Sequence, residues 1–207
     1  MSKQTEIVCI IDKSGSMCTV RDDSIGGFNT FLKEQKRLKD KATMTLVLFD
    51  TSFTTIYENE PINKVKQLNE KIYILGGGTA LLDAIGSTLV NVAKRYDGKK
   101  TKNQKVIVVI LTDGQENSSR EYKKQQIKDM ISTHQEKQKW EFIFLGANQD
   151  AFAEADGIGF QARNTANYLH TGIGTQNAYM NISTAVSNFR NTGDTGDWKK
   201  DDVSAKK

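Results

Sequence analysis

The chain has 207 residues, which is enough for one domain with a substantial hydrophobic core. Hydrophobic residues make up 37% and charged residues 26% of the sequence, as in globular rather than disordered proteins. The formal net charge of +4 comes from 29 basic and 25 acidic residues that are spread along the chain. Its basic residues cluster no further than pairs such as Lys99-Lys100, which argues against a nucleic-acid-binding protein.

The sequence also argues against a membrane or secreted protein. No run approaches the roughly 20 apolar residues that a bilayer-spanning helix needs. Residues 1–6 are polar and do not have the form of a secretory signal. Cys9 lies inside an apolar run and Cys18 lies in the loop that follows it, so we expect no disulfide between them. A cytoplasmic, reducing location is therefore expected, without membrane contact.

Apolar runs alternate with helical patterns along the chain. Residues 5–11 are almost continuously apolar, which is typical of a parallel strand buried on both faces. Further strands are predicted at 43–49, 53–58, 105–112, 140–146 and 165–169. The short turn at 50–52 indicates a hairpin, and hence one antiparallel edge strand. Helices are predicted at 22–38, 64–70, 80–96 and 121–138, from near Gln149, and at 175–189.

This order of elements predicts an α/β fold. We expect a doubly wound, Rossmann-like and mostly parallel sheet of about six strands, with helices on both faces. Residues 1–190 are expected to form the domain, and residues 191–207 a polar, flexible C-terminal tail. Trp198 in this tail either anchors it on the domain or is exposed, and the sequence leaves both alternatives open.

Three distant segments carry oxygen ligands at positions where sites occur in open α/β sheets. Asp12, Ser14 and Ser16 directly follow the first strand, and Gly15 lets the loop bend so that the alternate side chains converge. Thr79 follows three consecutive glycines, and Asp113 closes the strand at 105–112. The candidate metal ligands are therefore Asp12, Ser14, Ser16, Thr79 and Asp113.

The chemistry of this set indicates a magnesium site. Mg²⁺ prefers about six oxygen ligands, and two carboxylates roughly balance its charge. If the carboxylates act through water, the ligands that contact the ion directly are mostly neutral hydroxyls. The ion then keeps positive charge that can attract an incoming carboxylate. Mn²⁺ accepts the same set of oxygens and is possible in its place. The pattern therefore predicts a Mg²⁺ site that captures an acidic side chain of a partner protein.

These motifs resemble the metal-ion-dependent adhesion site (MIDAS) of von Willebrand factor type A (vWA) domains. The matching segments are Asp12-x-Ser14-Gly15-Ser16, Gly77-Gly78-Thr79 and Thr112-Asp113-Gly114, and the resemblance covers about residues 5–190. Residues 144–151 are similar to small bacterial and phage-type members. The resemblance implies that Ser14, Ser16 and Thr79 coordinate the ion through hydroxyls, while Asp12 and Asp113 act directly or through water.

The resemblance also implies a function. Members of this family use the site to bind a protein that contributes a Glu or Asp side chain, which implies a non-enzymatic binding module. Intracellular members serve AAA+ ATPases or stress-response systems, so such a protein is the expected type of partner. In some members a movement of the last helix, here residues 175–189, changes the affinity.

Two other functions remain open from the residues. One is a structural or assembly protein whose loops a metal stabilises, and the other is a metal-dependent phosphohydrolase. Against the second, no base is paired with the ligand set, and the triple glycine lacks the Lys-Ser/Thr of a phosphate loop. Glu116 and Asn117 could orient the site, contact a partner or cap a helix. His134 is expected to be exposed, and neither it nor His170 is assigned a ligand role.

Overall fold

Six strands and five α-helices alternate along the chain in a computed structural model that describes residues 4–96, 104–147 and 151–199. The strands are β1 (Gln4–Asp12), β2 (Lys41–Phe49), β3 (Phe53–Pro61), β4 (Gln104–Thr112), β5 (Glu141–Gly146) and β6 (Thr165–Asn167). The helices are α1 (Arg21–Arg37), α2 (Leu81–Tyr96), α3 (Lys124–Gln138), α4 (Ala151–Gly157) and α5 (Gly172–Thr192). Short 3-10 turns lie at Gly15–Val20, Ile62–Lys64 and Ala162–Asn164.

The strands form one mixed sheet in the order β3-β2-β1-β4-β5-β6. All neighbouring pairs are parallel except β2 and β3, which form the expected antiparallel hairpin at the edge. The predicted Rossmann-like sheet is therefore confirmed. The chain leaves β1 towards β2 on one side and later adds β4 on the other side, so the carboxyl ends of β1 and β4 form a topological switch point.

Both faces of the sheet are covered by helices. Alternate residues of β1 enter different cores: Cys9 lies in the cluster that contains α1 and α5 residues, and Val8 in the cluster that contains α2 and α3 residues. This two-sided burial explains why the strand sequence is almost continuously apolar. None of the described helices is long and apolar enough to cross a membrane.

The predicted helix at 64–70 was wrong. The chain forms only a 3-10 turn at Ile62–Lys64, and the backbone at Val65 is extended. The side chain of Asn29 accepts a hydrogen bond from the Leu68 amide (2.8 Å) and donates one to the Leu68 carbonyl (2.9 Å). Lys36 Nζ donates to the Val65 carbonyl (2.5 Å). Because side chains of α1 bind these backbone groups, the segment does not use them for helical hydrogen bonds.

The helix α3 begins three residues later than predicted. The carboxylate of Asp83 accepts the backbone amides of Arg120, Glu121 and Tyr122, at 2.8, 2.9 and 2.9 Å. This interaction holds the chain in a loop until Lys124. The start that was predicted near Gln149 for the next helix lies outside the described residues, whereas the helix itself is present as α4.

The expectation that His134 is exposed was wrong. The residue is only 8% exposed, and its ring stacks on Trp140 with 4.2 Å between the ring centroids. Trp140 lies two residues beyond the end of α3. The periodic pattern of the helix therefore does not show that this indole covers His134. The structural role of His134 is to pack α3 against the start of β5.

The first part of the predicted tail packs on the domain. Helix α5 continues to Thr192, and Gly193 ends it with a φ of 92°. Trp198 is 1% exposed and belongs to the hydrophobic cluster on the α1 and α5 face. Of the two alternatives for this indole, the structure therefore shows the anchor. Residues 200–207 lie outside the described residues.

We predict that Trp198→Ala lowers the free energy of unfolding by about 3 kcal/mol, since it removes a buried indole from the core. Urea unfolding followed by circular dichroism measures the change. Asp197→Ala is the control, because Asp197 is exposed in the same segment and its removal should leave stability within about 0.5 kcal/mol. Equal stability of the two variants would contradict the observed anchor.

Candidate metal centre

Asp12 is the last residue of β1 and is fully buried. Its Oδ1 accepts the amide of Ser14 (2.7 Å), and its Oδ2 accepts the hydroxyl of Thr112 (2.6 Å). The carboxylate therefore shapes the loop after β1 and joins the ends of β1 and β4. Burial raises the pKa of Asp12 to about 6, although the hydrogen bonds from Thr112 and Ser14 oppose this shift.

Ser14 and Ser16 link this loop to the end of β4. Their hydroxyl oxygens lie 3.0 Å apart, and the Ser16 hydroxyl donates to Oδ1 of Asp113 (2.9 Å). Ser14 is almost completely buried, whereas Ser16 is exposed. The two serines and Asp113 thus surround one place that opens to solvent on the Ser16 side.

Thr79 approaches the same place from the glycine loop. A Cβ atom on Gly114 would lie 2.9 Å from the Thr79 hydroxyl oxygen and 3.8 Å from that of Ser16. The absence of a side chain at Gly114 lets these two hydroxyls share one side of the site. The structure therefore brings all three predicted segments together.

Backbone contacts hold the glycine loop against the serine loop. The Gly76 amide donates to the Lys13 carbonyl (2.9 Å), and the Gly15 amide donates to the Gly77 carbonyl (3.0 Å). A Cβ atom on Gly76 would lie 1.7 Å from a carboxylate oxygen of Asp50, so only glycine fits there. This close approach determines the path of the loop that leads to Thr79.

Glu116 and Asn117 orient the Thr79 loop and the start of α2. Asn117 Oδ1 accepts the amide of Thr79 (2.9 Å), and the Thr79 carbonyl accepts the amide of Asn117 (3.1 Å). Glu116 accepts the amide of Leu82 in the first turn of α2 (2.9 Å). Of the alternatives left open by the sequence, capping and positioning are the contacts that the structure contains.

The second carboxylate oxygen of Asp113, Oδ2, has a different environment. Oδ2 is buried and accepts no hydrogen bond from the part of the chain that the structure describes. His170 Nε2 lies 3.0 Å from Oδ2, in a contact that does not have hydrogen-bond geometry. Burial raises the pKa of Asp113, while the hydrogen bond from Ser16 and the nearby His170 oppose the shift.

Sequence reasoning missed the proximity of His170. The residue carries no motif and is distant in sequence from the three ligand segments. One available signal was its position directly after the predicted strand at 165–169, because the carboxyl ends of parallel strands share one edge. His170 lies in the loop between β6 and α5, and it connects that loop to Asp113.

The residues fit a divalent cation that prefers oxygen ligands. Three hydroxyls and two carboxylates surround the site, and one buried carboxylate oxygen has no hydrogen bond among the described residues. Burial disfavours the charged forms of Asp12 and Asp113, and a bound cation would offset this desolvation cost. The identity of these five residues as ligands stays a prediction.

The carboxylates and imidazoles alone would not have revealed this site. Across residues 4–96, 104–147 and 151–199, no group of three or more His, Cys, Asp or Glu side chains could hold a metal ion. The candidate centre therefore depends on the hydroxyls of Ser14, Ser16 and Thr79.

Comparison with known proteins identifies the family. The profile of the von Willebrand factor type A domain matches residues 6–192. The chain belongs to the vWA domain family. No curated protein matches the sequence of this vWA domain.

Solved structures share the fold at low sequence identity. Proximal thread matrix protein 1 from the mussel byssus matches with a TM-score of 0.60 and 15% identity, over 88% of this vWA chain and 45% of the mussel chain. A second structure of that protein, with a zinc-occupied MIDAS motif, has a TM-score of 0.61, 15% identity and the same coverage of 88% and 45%. The ArnB paralog VWA2 from Sulfolobus acidocaldarius has a TM-score of 0.58 and 16% identity, over 89% and 45% of the chains.

The chain spans less than half the length of each of these structures. At such identities the likeness supports the fold alone. The zinc-occupied MIDAS is a finding about the mussel protein.

We predict that Mn²⁺ or Mg²⁺ raises the melting temperature of EDTA-treated vWA domain by about 5–10 °C at about 100 times the dissociation constant, because the ion binds only the folded state. Differential scanning calorimetry measures the shift. Thr79→Val should abolish most of it by removing one ligand hydroxyl. Thr19→Val, at an exposed threonine outside the ligand set, is the matched control and should keep it. An unchanged shift of the melting temperature in Thr79→Val would show that Thr79 is not a metal ligand.

Proposed function

We propose that this vWA domain is a non-enzymatic, metal-dependent protein-binding module. Ser14, Ser16, Thr79, Asp12 and Asp113 would hold Mg²⁺, or Mn²⁺ in its place. Ser14, Ser16 and Asp113 form one hydrogen-bonded group, and the Thr79 hydroxyl lies beside it at Gly114. The observation that carries the proposal is this group of hydroxyls around Asp113, one of whose oxygens is buried without a hydrogen bond from the described residues.

The arrangement is suited to binding an acidic side chain. A bound divalent ion supplies a positive charge that can accept a carboxylate oxygen. Both oxygens of Asp12 already accept hydrogen bonds, from Ser14 and Thr112, so this carboxylate supports the loop and balances charge from behind the serines. Ser16 lies on the exposed side, where a Glu or Asp of a partner protein can approach.

The biological setting is a further part of the proposal. The resemblance to small bacterial and phage-type members favours a cytoplasmic protein whose partner is an AAA+ ATPase or a stress-response protein. Nucleic acid and membranes have no part in it. These assignments rest on the sequence.

Mg²⁺-dependent capture of a partner tests the proposal. The immobilised domain is incubated with lysate of the source cells in Mg²⁺ or in EDTA. We expect one protein to be retained in Mg²⁺, to be lost in EDTA, and to be lost from Asp113→Ala. Asp156→Ala, an exposed carboxylate on α4, is the matched control and should retain it. Replacing the acidic residues of the captured protein singly should then identify the one that reaches the metal.

The negative outcomes are informative. A partner retained in every condition would show that the metal is not the contact, and would favour the structural or assembly alternative. A partner lost equally from Asp113→Ala and Asp156→Ala would show a general charge effect. Circular dichroism of both variants confirms that they are folded.

The last helix is connected to the candidate centre at its start. His170 precedes α5 by two residues and contacts Asp113, while Arg190 near the end of α5 pairs with Asp40 beyond α1 (2.9 Å). We expect partner binding to change hydrogen exchange in residues 175–189, because the contact to His170 changes when Asp113 is engaged. Mass spectrometry measures the exchange. Identical exchange with and without the captured partner would rule out this coupling.

His170 is also the observation that favours a phosphohydrolase as the second candidate. An imidazole beside a metal centre is a common arrangement in hydrolytic sites. Assays with p-nitrophenyl phosphate and bis-p-nitrophenyl phosphate in Mn²⁺ test it. We expect no turnover above that of Asp113→Ala. Turnover that disappears in both Asp113→Ala and His170→Ala would replace the binding proposal with a catalytic one.

A further inference from the structure

Large hydrophobic side chains are exposed at four described positions, and three of them lie beside the candidate metal centre. The four are Ile74 (61% exposed), Leu169 (55%), Ile173 (75%) and Met180 (62%). Ile74 lies in the loop that leads to the triple glycine, and Leu169 and Ile173 lie between β6 and the first turn of α5. We call Ile74, Leu169 and Ile173 the aliphatic rim.

Ile74 is positioned by the tyrosine that precedes it. Tyr73 is fully buried, and its hydroxyl donates to the carbonyl of Asp12. The side chain of Tyr73 thus binds the backbone of a candidate ligand, while the next side chain, Ile74, extends into solvent. The anchor at Asp12 holds Ile74 at the same edge as the metal centre.

Leu169 is positioned in the same way by Tyr168. Tyr168 is 5% exposed, and its hydroxyl donates to the carbonyl of Thr112 (3.3 Å). Leu169 follows it and is exposed, and the next residue, His170, contacts Asp113. Two pairs of a buried tyrosine and an exposed aliphatic residue therefore attach to the ends of β1 and β4.

A tight turn keeps Ile173 next to Leu169. The Leu169 carbonyl accepts the amide of Thr171 (2.8 Å), and a Cβ atom on Gly174 would lie 2.0 Å from that same carbonyl oxygen. The backbone of this turn is therefore closely packed, and Gly174 is required for it. Leu169 and Ile173 form one half of the rim.

The two halves of the rim come from two different loops at the same end of the sheet. Ile74 precedes the triple glycine, whereas Leu169 and Ile173 follow β6. The tyrosines before Ile74 and Leu169 belong to one hydrophobic cluster, and their hydroxyls bind the ends of β1 and β4, where the candidate ligands lie. A segment whose acidic residue reaches the metal therefore meets aliphatic side chains next to it.

We propose that the aliphatic rim selects the partner, which is a protein segment with apolar side chains next to a Glu or Asp. This inference rests on the proposed function, because the metal centre determines where the acidic residue lies. The rim then buries apolar surface of the partner beside the charged contact, and this burial stabilises the complex. A hydrophilic acidic segment would leave all three aliphatic side chains in water.

Selection from a random peptide library tests the proposed sequence pattern of the partner, and it does not require the partner to be identified first. The library is displayed on phage and selected on the immobilised domain in Mg²⁺, with elution by EDTA. We expect the eluted peptides to be enriched in Asp or Glu and to carry Leu, Ile, Val, Met or Phe next to it. The same selection on the triple variant Ile74→Ser, Leu169→Ser, Ile173→Ser should retain the acidic residue and lose the apolar flanks.

Affinity measurements with a selected peptide provide the matched control. Each single rim variant should bind about tenfold more weakly, since it removes one aliphatic contact. Met180→Ser should bind as the wild type does, because Met180 is similarly exposed but lies about 10 Å further along α5. Isothermal titration with Mn²⁺ alone should give the same metal affinity for all of these variants.

The two proposals fail in different ways. Eluted peptides without enrichment of Asp or Glu would overturn the proposed function and this inference with it. Acidic peptides without apolar flanks, or flanks that persist in the triple variant, would overturn the rim alone. Dimerisation of the domain in Mg²⁺ that Ile74→Ser abolishes would show that the rim is covered by a second copy, and would also overturn the inference.

Discussion

The buried carboxylate of Asp12 is the constraint on which the candidate centre depends. Burial disfavours its charged form, and the opposing contributions come from the Ser14 amide and the Thr112 hydroxyl. The same two hydrogen bonds turn the loop after β1 and connect it to the end of β4. The positions of Ser16 and Asp113 follow from this connection, because their own hydrogen bond joins the two loops.

Close backbone approach adds the third segment to this arrangement. Gly76 lies against Asp50, and Gly114 leaves room for the Thr79 hydroxyl, so side chains at either glycine would displace the loop. Asn117 then holds both backbone groups of Thr79. Hydrogen bonds and close packing within the protein thereby hold the three loops of the site together. The candidate ligands are therefore already arranged to bind a metal ion.

The pairs Tyr73-Ile74 and Tyr168-Leu169 connect the core to the surface around the centre. Each tyrosine ring belongs to the hydrophobic cluster on the α1 and α5 face of the sheet, and each hydroxyl binds a strand-end carbonyl. A buried tyrosine needs such a partner for its hydroxyl. The residue that follows each of them is exposed beside the site, so the packing of the core also positions the apolar surface that a partner would meet.

The sequence by itself determined the sheet and its antiparallel edge strand, because long apolar runs and a short turn are local signals. It also predicted the grouping of Asp12, Ser14, Ser16, Thr79 and Asp113, from two strand ends, a triple glycine and the resemblance to the MIDAS motif. Only the tertiary structure decided that Asn29 and Lys36 replace a helix at 64–70, that Trp140 covers His134, that Trp198 anchors the chain after α5, and that His170 reaches Asp113. Each of these depends on a partner distant in sequence or on the opposite side of a turn, and residue patterns carry no information about which distant groups meet.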